Sequence, residues 1–158
     1  MTLDRVPIRV HPDSGQAEAI LDLIRRCFAS MEGRIHPPSS MHRLTAETID
    51  QHCRDGEVWI IGTPPVACAF LTPKADCLYL GKLAVDAAWR GQGLAALLVD
   101  HAMDRARAHG LNAVELQVRV ELVENHRAFA KMGFVKTGAT AHPGYDLPTS
   151  ITMQRVLS

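Results

Sequence analysis

One short loop carries the residues best suited to chemistry. Arg90-Gly91-Gln92-Gly93-Leu94-Ala95 sets a fixed positive charge, two glycines and a small side chain at the head of a long apolar-periodic segment. Glycines leave backbone N–H groups uncovered, and the first N–H groups of a helix have no partner inside it. With the helix dipole, they favour a phosphate. Ala95 is small enough for a ligand to lie close to the helix. The same stretch also fits Gly91-x-Gly93-x-x-Ala96, the glycine pattern of a dinucleotide-binding turn, and Glu115 lies about where that pattern wants an acidic residue. Three features oppose that reading. Five residues, Asp86 to Arg90, separate the preceding strand from Gly91, where a dinucleotide site needs a tight turn. Glu115 falls within a strand rather than at its end. Too little chain follows Ala96 to build further βαβ units. The spacing therefore favours a pyrophosphate held without a ribose carboxylate.

The elements that must hold this loop can be read along the chain. Val6 to Val10 alternates as a first strand, and Ser14 is placed to cap the helix after it. Ala19, Ile20, Leu23, Ile24, Cys27 and Phe28 recur at helical spacing. Gly33, Pro37 and Pro38 make Ser30 to Leu44 a loop. Thr45 caps a short helix that ends at Asp55-Gly56. Val58 to Ile61 and Val66 to Leu71 flank Gly62-Thr63-Pro64-Pro65 as a hairpin-like pair of strands. A third run, Cys77 to Val85, holds Gly81, which marks a bulge or a close backbone approach. From Gln92 the pattern turns helical, with Leu94, Leu97, Leu98 and Ala102 in one stripe. Ala113 to Val118 is a strand, and the strand–helix–strand order predicts a parallel pair with a right-handed crossover. A helix over about Val123 to Met132 and strands at Phe134 to Thr137 and Ser150 to Val156 follow. The order β-α-α-β-β-β-α-β-α-β-β describes one α/β (α+β) domain with a mixed sheet flanked by helices.

The totals narrow the function. The chain has 158 residues, enough for one core, and 17 basic residues balance 17 acidic ones. That balance argues against a nucleic-acid partner. No apolar run approaches the length of a membrane span, and MTLDRVPIRV has no secretory core, so a cytoplasmic location is expected. Cys27, Cys53, Cys68 and Cys77 form no C-x-x-C pair and read as buried free thiols. His11, His42, His52, His101, His109 and His126 make no ligand-like grouping with carboxylates, so no metal site is expected.

Leu80-Gly-Lys-Leu-Ala-Val-Asp-Ala-Ala-Trp-Arg-Gly-Gln-Gly-Leu-Ala resembles the acetyl-CoA-binding core of the GNAT N-acetyltransferase superfamily, with its Arg/Gln-x-x-Gly-x-Gly/Ala loop. Asn125-His-Arg-Ala-Phe-Ala-Lys-Met-Gly-Phe134 is similar to that family's closing helix and Gly-Phe step. The resemblance implies a sheet that splays between the strand before the loop and the strand after the helix. Acetyl-CoA would enter that gap, its pantetheine on the backbone of Leu83, Ala84 and Val85. Its pyrophosphate would lie on Arg90, Gly91, Gln92, Gly93, Leu94 and Ala95, with Asn125 and Phe129 beside the arm. The implied reaction is direct attack of an amine on the thioester, in a complex of both substrates.

Such proteins often carry a tyrosine four residues before the Gly-Phe step, as the acid for the leaving thiolate. Phe129 stands there and has no proton to give. The thiolate then leaves unassisted, or another group serves, with Tyr145 the candidate. For the base, His142, Glu32, His36 and a bound water stay open. A non-catalytic acyl-CoA sensor is the alternative that the missing tyrosine raises. The loops Met31 to Leu44 and Ala139 to Ser150 should shape the acceptor pocket. Neither reads as an acidic channel, which favours a small amine acceptor over a polycationic one, and a homodimer is possible.

Overall fold

A computed structural model of the chain describes residues 4–29, 33–38 and 43–157. Seven strands form one sheet: β1 (Ile8–Arg9), β2 (Glu57–Ile61), β3 (Ala67–Pro73), β4 (Leu78–Val85), β5 (Ala113–Arg119), β6 (Val135–Thr140) and β7 (Ser150–Val156). They lie in the order β1-β2-β3-β4-β5-β7-β6. The helices are α1 (Ala17–Phe28), α2 (Ala46–Asp55), α3 (Leu94–Ala108) and α4 (Val123–Lys131). The chain order of these elements is the one read from the sequence. Every neighbouring pair of strands is antiparallel except β4 and β5, which run parallel around α3.

The period-two alternation of the central strands feeds two cores. Val58, Ile60, Cys68, Phe70 and Ala84 point to one face, where Ile20, Leu23 and Ile24 of α1 and Ile49 of α2 cover them. Ala67, Ala69, Leu71, Leu78, Leu80, Val114, Leu116 and Val118 point to the other, under Leu94, Leu98, Ala102 and Ala106 of α3. The four cysteines are buried, and none is joined to another in a disulfide.

Two local expectations need correction. Ser14 does not cap α1; the helix starts at Ala17 behind Gln16, with no side-chain cap bond. The first strand is shorter than Val6 to Val10: its register against β2 covers Ile8 and Arg9, and Val10 adds one N–H bond to Val58 O at 2.8 Å. At α2, by contrast, Thr45 forms a reciprocal capping box with Thr48.

One buried carboxylate ties β2 to α3. Glu57 is 2% exposed. It accepts two bonds of 2.8 Å from Arg105, one of 2.8 Å from Trp59 Nε1, and pairs with His109 Nε2 at 2.6 Å. Burial pushes its pKa up, but these bonds outweigh burial and bring it down to about 2.

Candidate active site

The sheet opens at its centre. β4 and β5 pair only at Leu78–Val114 and Tyr79–Glu115, and beyond Tyr79 the gap-side N–H and C=O groups of β4 have no ladder partner from β5. The cause lies on the other edge of β4. Its register against β3 slips between Phe70–Gly81 and Cys68–Ala84, so β4 carries one extra residue there. That residue is Lys82, with φ of 49°, the left-handed conformation of a β-bulge. A bulge bends its strand, and here it begins where pairing to β5 ends. Gly81 signalled the irregularity, but the positive φ falls on the lysine after it.

The gap holds a cavity of about 490 Å³ lined from both faces of the sheet. Leu122, Asn125 and Phe129 line it on the α4 side; Phe28, Leu44, Thr48, His52 and Phe70 line it on the α1–α2 side. The strands contribute Thr72, Tyr79, Leu80, Gly81, Lys82, Leu83, Leu116, Gln117, Val118 and Arg119.

Next to the gap, β4 runs through a 3-10 turn (Ala87–Trp89) into the Arg90–Gly93 loop and α3. Asp86 pins this turn, accepting from Ala88 N at 3.0 Å and from Arg26 Nη1 at 2.6 Å. Gly91 and Gly93 have φ of +77° and +80°, and a Cβ on either would meet nothing within 4 Å. Gly93 is the N-cap of α3 and leaves its first amides without a side-chain cap. Arg90 Nε reaches Val85 O at 3.4 Å, and Arg5 donates to Gln92 O at 2.6 Å and to Gln92 Oε1 at 3.1 Å. An open concave backbone at a helix N-terminus, flanked by two guanidinium groups, suits a phosphate.

Three titratable side chains in the cavity have shifted proton affinities, and for Lys82 burial lowers the pKa from its ordinary 10.5. His52 Nε2 lies 3.2 Å from Leu71 O and 3.3 Å from Thr72 Oγ1. A carbonyl only accepts, so Nε2 carries the proton and Nδ1 is left basic. Burial lowers the His52 pKa below its ordinary 6.5, which keeps the ring neutral at pH 7. Tyr79 is half-buried, with Lys74 Nζ 4.4 Å from its ring centre. Burial and the charge of Glu115 raise its pKa, so the hydroxyl stays protonated.

The residues singled out from the sequence fall in several places. Leu83, Asn125 and Phe129 line the cavity. Ala84 packs in the α1–α2 core, and the carbonyl of Val85 accepts from Cys27 Sγ at 3.3 Å. Arg90 to Ala95 form the loop and the first residues of α3. His142 and Tyr145 sit on the β6–β7 loop and do not line the cavity; Tyr145 is 41% exposed. His142 Nδ1 is paired to Thr149 Oγ1, and slight burial, then the charge of Arg119, lowers its pKa. His36 donates its backbone N–H to Glu121 Oε2 at 3.1 Å, and Glu32 lies outside the described residues. His52, Tyr79 and Arg119 had no role from the sequence. Each sits on a different element, and no local spacing links them.

The sequence model of the acetyltransferase (GNAT) family matches residues 17–134, well over half of the chain. The chain belongs to the GNAT acetyltransferase family. A search of curated proteins gives no match. Among solved structures, a GNAT-family acetyltransferase from Staphylococcus aureus Mu50 superposes with a TM-score of 0.74 at 14% identity, over 97% of this chain and 100% of that one. The ribosomal-protein-S18-alanine N-acetyltransferase of Escherichia coli gives 0.68 at 18% identity, over 97% and 95%. A GNAT acetyltransferase from Elizabethkingia anophelis, solved with acetyl-CoA bound, gives 0.68 at 16%, over 96% and 97%. At these identities the likenesses establish the fold. GNAT acetyltransferases use acetyl-CoA, and the open Gly91–Gly93 backbone beside an unpaired strand edge fits that group.

Proposed function

We propose that this acetyltransferase moves an acetyl group from acetyl-CoA to the primary amine of a small molecule, by direct attack with both substrates bound. The observation that carries this reading is a cavity lined from both faces of the sheet where β4 leaves β5, which lets two molecules meet from opposite sides. Arg90, Gly91, Gln92, Gly93, Leu94 and Ala95 would hold the pyrophosphate. The backbone of Leu83, Ala84 and Val85, with Asn125 and Phe129, would hold the pantetheine. When bound, acetyl-CoA supplies the acetyl group as an activated thioester.

The remaining steps fall to the chain's own groups. An alkylammonium is almost fully protonated at neutral pH, so a base must take a proton from it. His52 Nδ1 takes that role, because its ring is neutral and fixed by Leu71 O. Tyr79 Oη keeps a proton at the gap for the leaving group. A gap-side N–H of β4 near Gly81, lacking a ladder partner from β5, can donate to negative charge developing on the carbonyl oxygen. His142 and Tyr145 stand outside the cavity lining, and in this reading His52 and Tyr79 take the proton transfers.

The test is release of free thiol from acetyl-CoA across a panel of small primary amines, alongside calorimetry of CoA binding. Turnover on at least one amine is expected. Tight CoA binding with no thiol released on any amine would refute catalysis and leave a sensor.

A further inference from the structure

We propose that Arg119 reads a carboxylate on the acceptor, so that the amine substrate belongs to the amino-acid class. The proposal rests on the acetyl-transfer reading above.

The charge of the cavity is one-sided. Lys82 and Arg119 line it, and no Asp or Glu does among the described residues. Arg119 ends β5, and its side chain is fixed: Nη2 donates to Pro38 O at 3.3 Å, tying it to the segment between α1 and α2. Nη1 is buried and has no hydrogen-bond partner among the described residues. A buried charged donor left unmade costs free energy that a bound acceptor atom recovers, and a guanidinium suits a carboxylate oxygen.

The sign and size of the missing group follow from what surrounds it. Glu121, two residues on, has one oxygen held by His36 N and the other buried without a partner among the described residues. Its negative charge offsets part of the local positive charge. That balance admits a single carboxylate and disfavours a dianionic phosphate. Phe28, Leu44 and Phe70 give the same cavity an apolar wall. An α-amino acid with an apolar side chain meets all three conditions. A polyamine would face the like charges of Lys82 and Arg119 in the lining.

The experiment compares kcat/KM for matched acceptors: L-methionine against L-methioninamide, and L-phenylalanine against phenethylamine, with phosphoethanolamine as the dianion. The free acids should lead their neutral-ended partners by about tenfold or more, the scale of one charge-assisted bond. In Arg119→Gln that ratio should collapse toward one. Arg119→Lys, which keeps the charge without the fork, should fall between, and it carries the comparison if the glutamine variant fails to fold. Amides and decarboxylated amines turned over as fast as the acids by the unaltered protein would overturn the carboxylate while leaving acetyl transfer intact. Preference for phosphoethanolamine would overturn it too. CoA binding with no turnover of any amine would sink both readings together.

Discussion

Gly93→Glu tests the phosphate loop directly. At this position a Cβ meets nothing within 4 Å, so the new side chain has room and the fold should survive. The φ of +80° adds the strain of a left-handed L-residue, about 1–2 kcal/mol, borne by the folded protein whether or not CoA is present. The carboxylate would stand where the pyrophosphate is expected. Two unit charges about 5 Å apart repel by about 3 kcal/mol at the effective dielectric of a protein surface. That corresponds to roughly a hundredfold loss of CoA affinity, smaller at high salt because the pair is exposed to screening ions. Gly93→Ala is the control: it carries the same backbone strain without the charge and should bind CoA far better than the glutamate variant. Isothermal calorimetry at low and high salt, with circular dichroism to confirm folding, separates the two effects. Unchanged affinity in Gly93→Glu, or equal losses in both variants, would refute the placement of the pyrophosphate.

His52 must be unprotonated to act as a base, and its pKa lies below 6.5, so kcat should fall only as pH drops below that value. His52→Gln should lower kcat about 100-fold or more and flatten that limb in a pH–rate profile. Tyr79→Phe should lower kcat more than Tyr145→Phe does, by about tenfold or more, with CoA affinity preserved in both. Stopped-flow thiol release compares them. The folded pKa of Glu57, about 2, lies below its unfolded value of 4.5, so this group stabilises the fold above about pH 4.5. That stability, about 3 kcal/mol, is lost as pH falls toward 2. Urea unfolding between pH 7 and 2 should show the loss in the natural protein, and Glu57→Gln should start less stable and lose less.

The helices and strands were legible because their signals are local. The apolar stripe of α3, the Thr45 cap and the alternation of β2 and β3 each sit within a few residues of sequence. Where competing local signals were weak, the edges moved, as at Ser14 and the short β1. The loop at the head of α3 was legible for the same reason: Arg90 to Gly93 are contiguous, and the glycines set its conformation locally. Asn125 and Phe129 came with the Gly133-Phe134 step on one short helix.

The side chains that share the cavity were not legible. His52 comes from α2, Thr72 from β3, Tyr79 and Lys82 from β4, and Arg119 from β5. What joins them is one extra residue in β4, the bulge at Lys82, which turns that strand from β5 and opens the cavity. The sequence by itself determined the order of elements and the loop at the head of α3, because backbone conformation and glycine placement are set by near neighbours. Only the tertiary structure decided which side chains share the gap. A pairing register, a burial-shifted histidine and an orphaned guanidinium nitrogen depend on residues that the chain keeps dozens of positions apart.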